Sequence, residues 1–267
     1  GIGYQDHRSK PPGSIMKLEL TPVPGFPLIK PGDDLAEIII NTCEKAQIGI
    51  QGGDIFVLAQ KIVSKSEGRL VNLNDVAVTE DAINLAEKTG KDPRIVALVL
   101  SESRKVLRYR TNVLIVEHKL GFVCANAGID HSNVHGVNGN PDDWMLLLPV
   151  DPDSSADKIR TKIEAQKGVH IGIMIIDSHG RAGRNGTLGT VIGLSGVPGL
   201  VDLRGQPDLF GFKLKITQVA AGDELAAGAS LMMGQAAEGT PVVHARGFPY
   251  ALREASLNEL IRPEQED

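Results

Sequence analysis

Several chemistries are excluded by what this 267-residue chain lacks. It has only two cysteines, Cys43 and Cys124, both in apolar stretches and neither in a CxxC or zinc-ligand spacing. They read as small buried hydrophobes of a reducing compartment. No apolar run approaches the roughly 18 residues of a membrane span, and no signal-type segment precedes one. Positive charge is not in excess: 28 Lys and Arg face 33 Asp and Glu, so no broad nucleic-acid footprint is expected. GxxxxGKS/T, GxGxxG and GxSxG are all missing, so P-loop, dinucleotide and serine-hydrolase signatures are excluded. The seven histidines do not cluster at metal-ligand spacing.

What is present is the composition of an ordinary globular chain, with 42% hydrophobic and 23% charged residues and a formal charge of −5. Disorder, collagen and coiled coil are excluded, and the length fits one large domain or two small ones. A cytoplasmic protein with no nucleic-acid and no membrane partner is expected. Aromatic residues are only 4%, whereas Gly reaches 30 residues, about 11% against an average near 7%. Such an excess signals tight turns or backbone packed against a ligand.

Residues 1–15 are polar, Pro/Gly-rich and without period, and read as a cloning remnant or disordered lead, with Met16 as the natural start. Residues 16–261 form the domain, and 262–267 read as a tail or the start of a linker. Within the domain, 17–21 alternates as a strand and Leu35, Ile38, Ile39 and Cys43 mark one helical face. A buried strand is expected at 54–58. A helix should run from an N-cap at Thr79 to Gly90, and another from Asp92-Pro93 to about Leu107. Val113–Val116 and Phe122–Cys124 suggest a hairpin, and 154–166 a helix with Ile159 and Ile163 inward. A strongly apolar strand at 169–176 ends in Asp177. A strand at 213–220 and an Ala/Leu/Met helix at 222–235 complete the chain. Hairpins mixed with helices, without a regular βαβ period, predict an α+β fold with mixed and antiparallel sheets.

Chemistry concentrates in three segments. In Ile176-Asp-Ser-His-Gly-Arg-Ala-Gly-Arg-Asn-Gly-Thr-Leu-Gly189 an acid precedes glycines at 180, 183, 186 and 189, with Arg181 and Arg184 between them. A loop of this kind suits a phosphate or carboxylate, although it also fits a solvated surface loop. In Asn126-Ala-Gly-Ile-Asp-His-Ser-Asn133, Asp130 follows a strand. Asp130 and Asp177 together could supply hard oxygens to Mg²⁺ or Mn²⁺, or simply cap their own turns. Lys61 and Lys65 follow the strand at 54–58 and could pin a triphosphate, or be solvated. His179, beside Asp177, could move a proton. From the residues alone, the reading stops at a metal-dependent enzyme or binder for a phosphate-bearing ligand.

These stretches are similar to the coenzyme F420-0:L-glutamate ligase (F420 gamma-glutamyl ligase) family. The resemblance lies in PVPGFPLIKPGDDL at 22–35, KIVSKSEGRL at 61–70, NAGIDHSNV at 126–134 and LLLPVDPDSSA at 146–156. It continues in IIDSHGRAGRNGTLGTVIG at 175–193, GDEL at 222–225, LMMGQ and PVVHARG at 241–247, spanning Met16 to Asp267. It implies a GTP-dependent ligase that joins L-glutamate to F420-0 through an acyl phosphate and then extends a γ-linked tail. It further implies two divalent ions, Mg²⁺ or Mn²⁺, a monovalent cation such as K⁺, and a homodimer.

By the same resemblance Asp130, Asp177, Ser178 and Gln235 hold metal, while Phe26, Pro27, Leu28, Ile29, Gln60, Lys65 and Asn133 contact GTP. Asp130 and Asp177, with Arg181 and Arg184, serve the chemistry. Asp223 and Glu224 match an acidic pair without an assigned role. The chain departs from the pattern at Gln235, where archaeal members have Glu, at Gln60, which replaces a small hydroxyl residue, and at Ala182-Gly183, which lacks an aromatic. Some bacterial members carry a C-terminal flavin domain after the ligase, so a longer parent is an expectation. The departure at Gln235 supports one alternative, a non-catalytic GTP- or F420-binding module, and a metal-dependent phosphohydrolase would share the aspartates without needing glutamate.

Overall fold

The computed structural model describes residues 15–131, 140–234 and 238–263. The first half comprises β1 (Glu19–Pro22), α1 (Leu35–Lys45), β2 (Ile55–Ala59), α2 (Gln60–Ser66) and β3 (Leu70–Asn72). It continues with α3 (Glu80–Thr89), α4 (Pro93–Ser101), β4 (Ser103–Arg110), β5 (Val113–His118) and β6 (Val123–Ala125). The second half holds β7 (Trp144–Leu146), α5 (Pro152–Lys167), β8 (Gly172–Arg181) and β9 (Arg184–Ser195). Last come β10 (Val201–Asp202), β11 (Gln218–Val219), α6 (Ala221–Met233) and β12 (Val242–Arg246).

A five-stranded sheet of order β1-β12-β2-β8-β9 forms the centre, with β2 and β8 parallel and the other pairs antiparallel. β2 and the first half of β8 are buried on both faces, which explains why they read as continuous apolar runs rather than alternating ones. Phe56 and Leu58 of β2 join Ile173 and Ile175 of β8 on the face covered by α1 and α5. Ile55, Val57, Met174 and Ile176 point the other way, against Leu225, Ala226 and Ala229 of α6. Complete burial of each such Ile or Leu contributes about 1.5–3 kcal/mol, so this three-layer core fixes the sheet in place. A three-stranded sheet β4-β5-β6 packs on α3 and α4, and β3 pairs with β7 beside them. The α+β architecture is therefore the one expected.

Capping chemistry sets the helix ends. The Thr79 side chain accepts from the Ala82 N–H, and α3 stops at Gly90 in the left-handed region (φ 68°). Asp92 caps α4, with Pro93 at the first helical position. That helix ends at Ser101, not near Leu107. From Ser103 the chain pairs with β5, because Arg104, Lys105, Arg108 and Arg110 have water on one side and Val106 reaches the small core. The expected strand at 213–220 shrinks to Gln218–Val219, paired with β10, while Lys213 makes only an isolated bridge to Pro207 and Leu214 bonds within the intervening turns. Lys17 and Leu18 precede β1, which extends to Pro22. Among the described residues no helix is long and apolar enough to cross a membrane.

Candidate active site

The main correction concerns the glycine-rich segment. Residues 176–189 are not a loop after a strand. β8 runs through Asp177 to Arg181 and turns at Ala182-Gly183 into β9, making a long antiparallel hairpin with Asp177 opposite Thr190 and Ser178 opposite Gly189. Gly183 takes φ 68° at the tip, where a side chain would strain the turn. Alternate backbone N–H groups bond across the hairpin, so the segment is an ordered two-stranded ribbon rather than a loop. Gly189 has a packing role instead: a Cβ on it would lie 2.5 Å from the Ala226 carbonyl oxygen and 2.6 Å from Ser230 Cβ. Its absence lets α6 lie directly on β9. Arg181 and Arg184 are exposed at the hairpin end, where the Arg181 guanidinium lies 3.4 Å from the Asn185 carbonyl oxygen.

The other site residues gather at the end of the central sheet where the parallel strands finish. Ala59 of β2 pairs with Ile176 of β8, so Gln60-Lys61 and Asp177-Ser178 leave the core side by side. Ligands of α/β sheets commonly sit outside the carboxyl ends of parallel strands. Here β2 passes straight into α2, whose Ile62 and Val63 are buried, while Lys61 and Lys65 lie one turn apart on the same face.

The Lys61 ammonium sits 2.8 Å from Asp130 Oδ2. Asp130 is held through its backbone: its N–H donates to the Leu146 carbonyl (3.0 Å), and its carbonyl accepts from the Leu146 N–H (2.9 Å). It therefore bridges to β7 through its backbone. Burial, helped by the like charge of Lys61 and opposed by Asp130, pushes the Lys65 ammonium below its usual range. Gln60 is buried, accepts from the Ser64 hydroxyl at 2.8 Å through Oε1, and leaves its Nε2 without a partner among the described residues. The segment carrying Phe26, Pro27, Leu28 and Ile29 docks beside this helix. The Gly32 N–H donates to the Ser66 carbonyl at 2.8 Å, with Ile29 in the core and Leu28 90% exposed.

Around Asp177 the surroundings are tighter. His179 Nε2 lies 3.1 Å from Asp177 Oδ2, the two side chains sharing one face of β8. The Phe122 ring packs on His179 at 5.2 Å and stacks on His118 at the same distance. His118 accepts from the Leu120 N–H through Nδ1 (3.0 Å), which places its proton on Nε2, and burial lowers its pKa to about 4. The Cys124 thiol is raised to about 12, first by burial and then by the Asp177 carboxylate, which brings β6 against β8. Asp223 accepts from the Val191 N–H at 2.9 Å. Burial raises its pKa while His179 opposes the rise, so it holds α6 to β9 beside the site. Glu224 is exposed.

Asp130, Asp177, Gln60, Lys65 and Ser178 thus meet at one end of the sheet, although Ser178 itself faces outward. Asn133 and Gln235 lie outside the described residues. Sequence reasoning did not foresee the pairing of Lys61 with Asp130 or the Phe122–His118 stack. Lys61 stands out in the sequence beside Lys65, but nothing there ties it to Asp130. Two carboxylates with hard oxygens suit a cation, and the ammonium already on Asp130 marks a cation position. Among the described residues no group of three or more His, Cys, Asp or Glu is assembled.

A family model described as F420-0:Gamma-glutamyl ligase matches residues 25–247. A protein of Methanopyrus kandleri named coenzyme F420:L-glutamate ligase is 45% identical over 236 residues, covering 88% of this chain and 89% of its own. Proteins of the same name from Methanothermobacter thermautotrophicus and Methanocaldococcus jannaschii are 41% and 43% identical. They cover 94% and 91% of this chain and 98% and 93% of their own lengths. The chain therefore belongs to the F420-0:gamma-glutamyl ligase family.

Proposed function

We propose that the protein is a GTP-dependent ligase that joins L-glutamate to F420-0 and extends the γ-linked tail. The observation that carries this reading is the meeting of Lys61, Lys65, Asp130 and Asp177 at the ends of two parallel strands, in a chain whose relatives bear the ligase name. The physical demand is clear: a carboxylate is a poor acyl donor, and two anions, carboxylate and triphosphate, must approach each other. In the proposed reaction a carboxylate oxygen of F420-0 attacks the γ-phosphorus and GDP leaves. The glutamate amine then attacks the acyl carbon and inorganic phosphate departs.

Lys65, with its high cost of burial, is placed to offset phosphate charge. The Phe26–Ile29 segment borders α2 and forms the nucleotide side. Arg181 and Arg184, on an exposed hairpin end, offer guanidinium forks to a substrate carboxylate. Asp130 and Asp177, with the Ser178 hydroxyl, would hold Mg²⁺ or Mn²⁺. Such an ion, when bound, neutralises phosphoryl charge. His179 orients the Asp177 carboxylate through their hydrogen bond. A homodimer is supported by residues 203–217, an arm that exposes Leu209, Phe210 and Ile216, and light scattering tests it.

The deciding experiment is mass spectrometry of F420-0 incubated with the protein, GTP, L-glutamate and Mn²⁺ or Mg²⁺. A ladder of glutamate-sized increments is expected. Its absence, with both substrates intact, refutes the reading.

A further inference from the structure

We propose that Lys61 is the resident counter-cation of Asp130 and changes partner on ligand binding, so that the divalent cation and the nucleotide bind cooperatively. The proposal rests on the ligase reading of the site and concerns the order in which that site fills.

The Asp130 backbone is pinned, and Lys61 reaches its carboxylate on a long side chain. The Asp130 backbone is held by two hydrogen bonds to Leu146, and the core anchors α2 through Ile62 and Val63. The ammonium rides on a four-carbon stem with free rotation. Both side chains are 28% exposed, so the pair lies at the mouth of the site, where an incoming ion reaches the carboxylate without unfolding anything. A divalent ion arriving at Asp130 meets an ammonium 2.8 Å from Oδ2. Two cations on one carboxylate repel strongly in a half-buried place, so the ion binds well only when the ammonium leaves.

The direction in which it leaves is set by the helix. Lys65 lies one turn further on the same face, already carrying the cost of burial and of its neighbour's charge. A polyphosphate placed before these two lysines gives Lys61 a new partner and relieves both. Nucleotide therefore frees Asp130 for the metal, and metal releases Lys61 to the nucleotide. By linkage the two effects are the same size.

The test uses the full chain and does not depend on turnover. Free Mn²⁺ is followed by electron paramagnetic resonance during titration of the wild type, Lys61→Gln and Lys61→Arg, in nucleotide-free buffer. Lys61→Gln is expected to bind Mn²⁺ roughly tenfold more tightly than the wild type, a typical size for coupling between sites. Lys61→Arg keeps a cation there and stays near the wild type. In a second arm, calorimetry with EDTA measures GTP binding in the absence of metal, and Lys61→Gln is expected to bind it several-fold more weakly.

An unchanged or weaker Mn²⁺ affinity in Lys61→Gln, with the melting temperature preserved, overturns the proposal while leaving the ligase reading intact. Loss of Mn²⁺ binding in all three proteins removes the metal centre and the exchange together. Tighter Mn²⁺ binding in Lys61→Gln alongside a wild type that makes no product upholds the exchange and refutes only the ligase assignment.

Discussion

Replacing Asp54 by Asn separates what holds the sheet together from what serves the site. Asp54 lies just before β2, at the opposite end of the strand from Lys61, and is 1% exposed. Its Oδ1 accepts from Arg246 Nε and its Oδ2 from an Arg246 terminal nitrogen, both at 2.8 Å. The Gln51 N–H donates to Oδ2 at 2.8 Å, and His244 Nε2 lies at the same distance. Burial alone would raise the carboxyl pKa. The hydrogen bonds from Arg246 and His244 outweigh it and bring the value from 3.8 to about 2.

At 1.36 kcal/mol per pH unit, that difference is worth about 2.5 kcal/mol of folding stability. The folded pKa is depressed, so the contribution is complete above the unfolded value of 3.8 and disappears as pH falls toward 2. Urea unfolding at pH 7 should show Asp54→Asn less stable by about 2.5 kcal/mol, or about 5–10 °C in melting temperature for a chain near this size. The gap should narrow in titrations between pH 4 and 3, while Mn²⁺ affinity at 25 °C stays unchanged. An unaltered midpoint at pH 7, or a gap just as wide at pH 3, would refute the electrostatic reasoning.

Four other outcomes follow from the same structure. His118 is buried with its pKa lowered to about 4, so it folds neutral. Wild-type stability should therefore fall as pH drops from 6.5 to about 4, by up to about 3.4 kcal/mol, whereas His118→Phe keeps the ring contact and should flatten that slope in denaturant titrations. Gly189→Ala forces a methyl against the Ala226 carbonyl and should cost about 1–3 kcal/mol by calorimetric melting, while Gly180→Ala, with open space around it, should be within about 0.5 kcal/mol of the wild type. Asp177→Asn should abolish glutamylation with the melting temperature kept, and Lys65→Ala should weaken GTP binding by calorimetry; a fully active Asp177→Asn would remove that residue from the chemistry.

Much of the local structure was legible in the residues themselves. Thr79, Gly90 and Asp92-Pro93 act through bonds to neighbours one turn away, so helix limits there need no tertiary information. The burial of β2 and β8 was written in unbroken apolar runs, and the family in motifs spread along the whole domain. Other features depended on partners distant in the chain. The segment after Asp177 reads as a loop because glycine and arginine favour turns, yet β9 supplies a ladder and α6 a surface that only Gly189 allows so near. The expected helix beyond Ser101 gave way because β5 offered hydrogen bonds to a chain already facing water. Above all, nothing in the order of residues joins Lys61 to Asp130. That ion pair exists because β2 ends at the helix carrying Lys61 and β7 pins the aspartate beside it, which local sequence cannot encode.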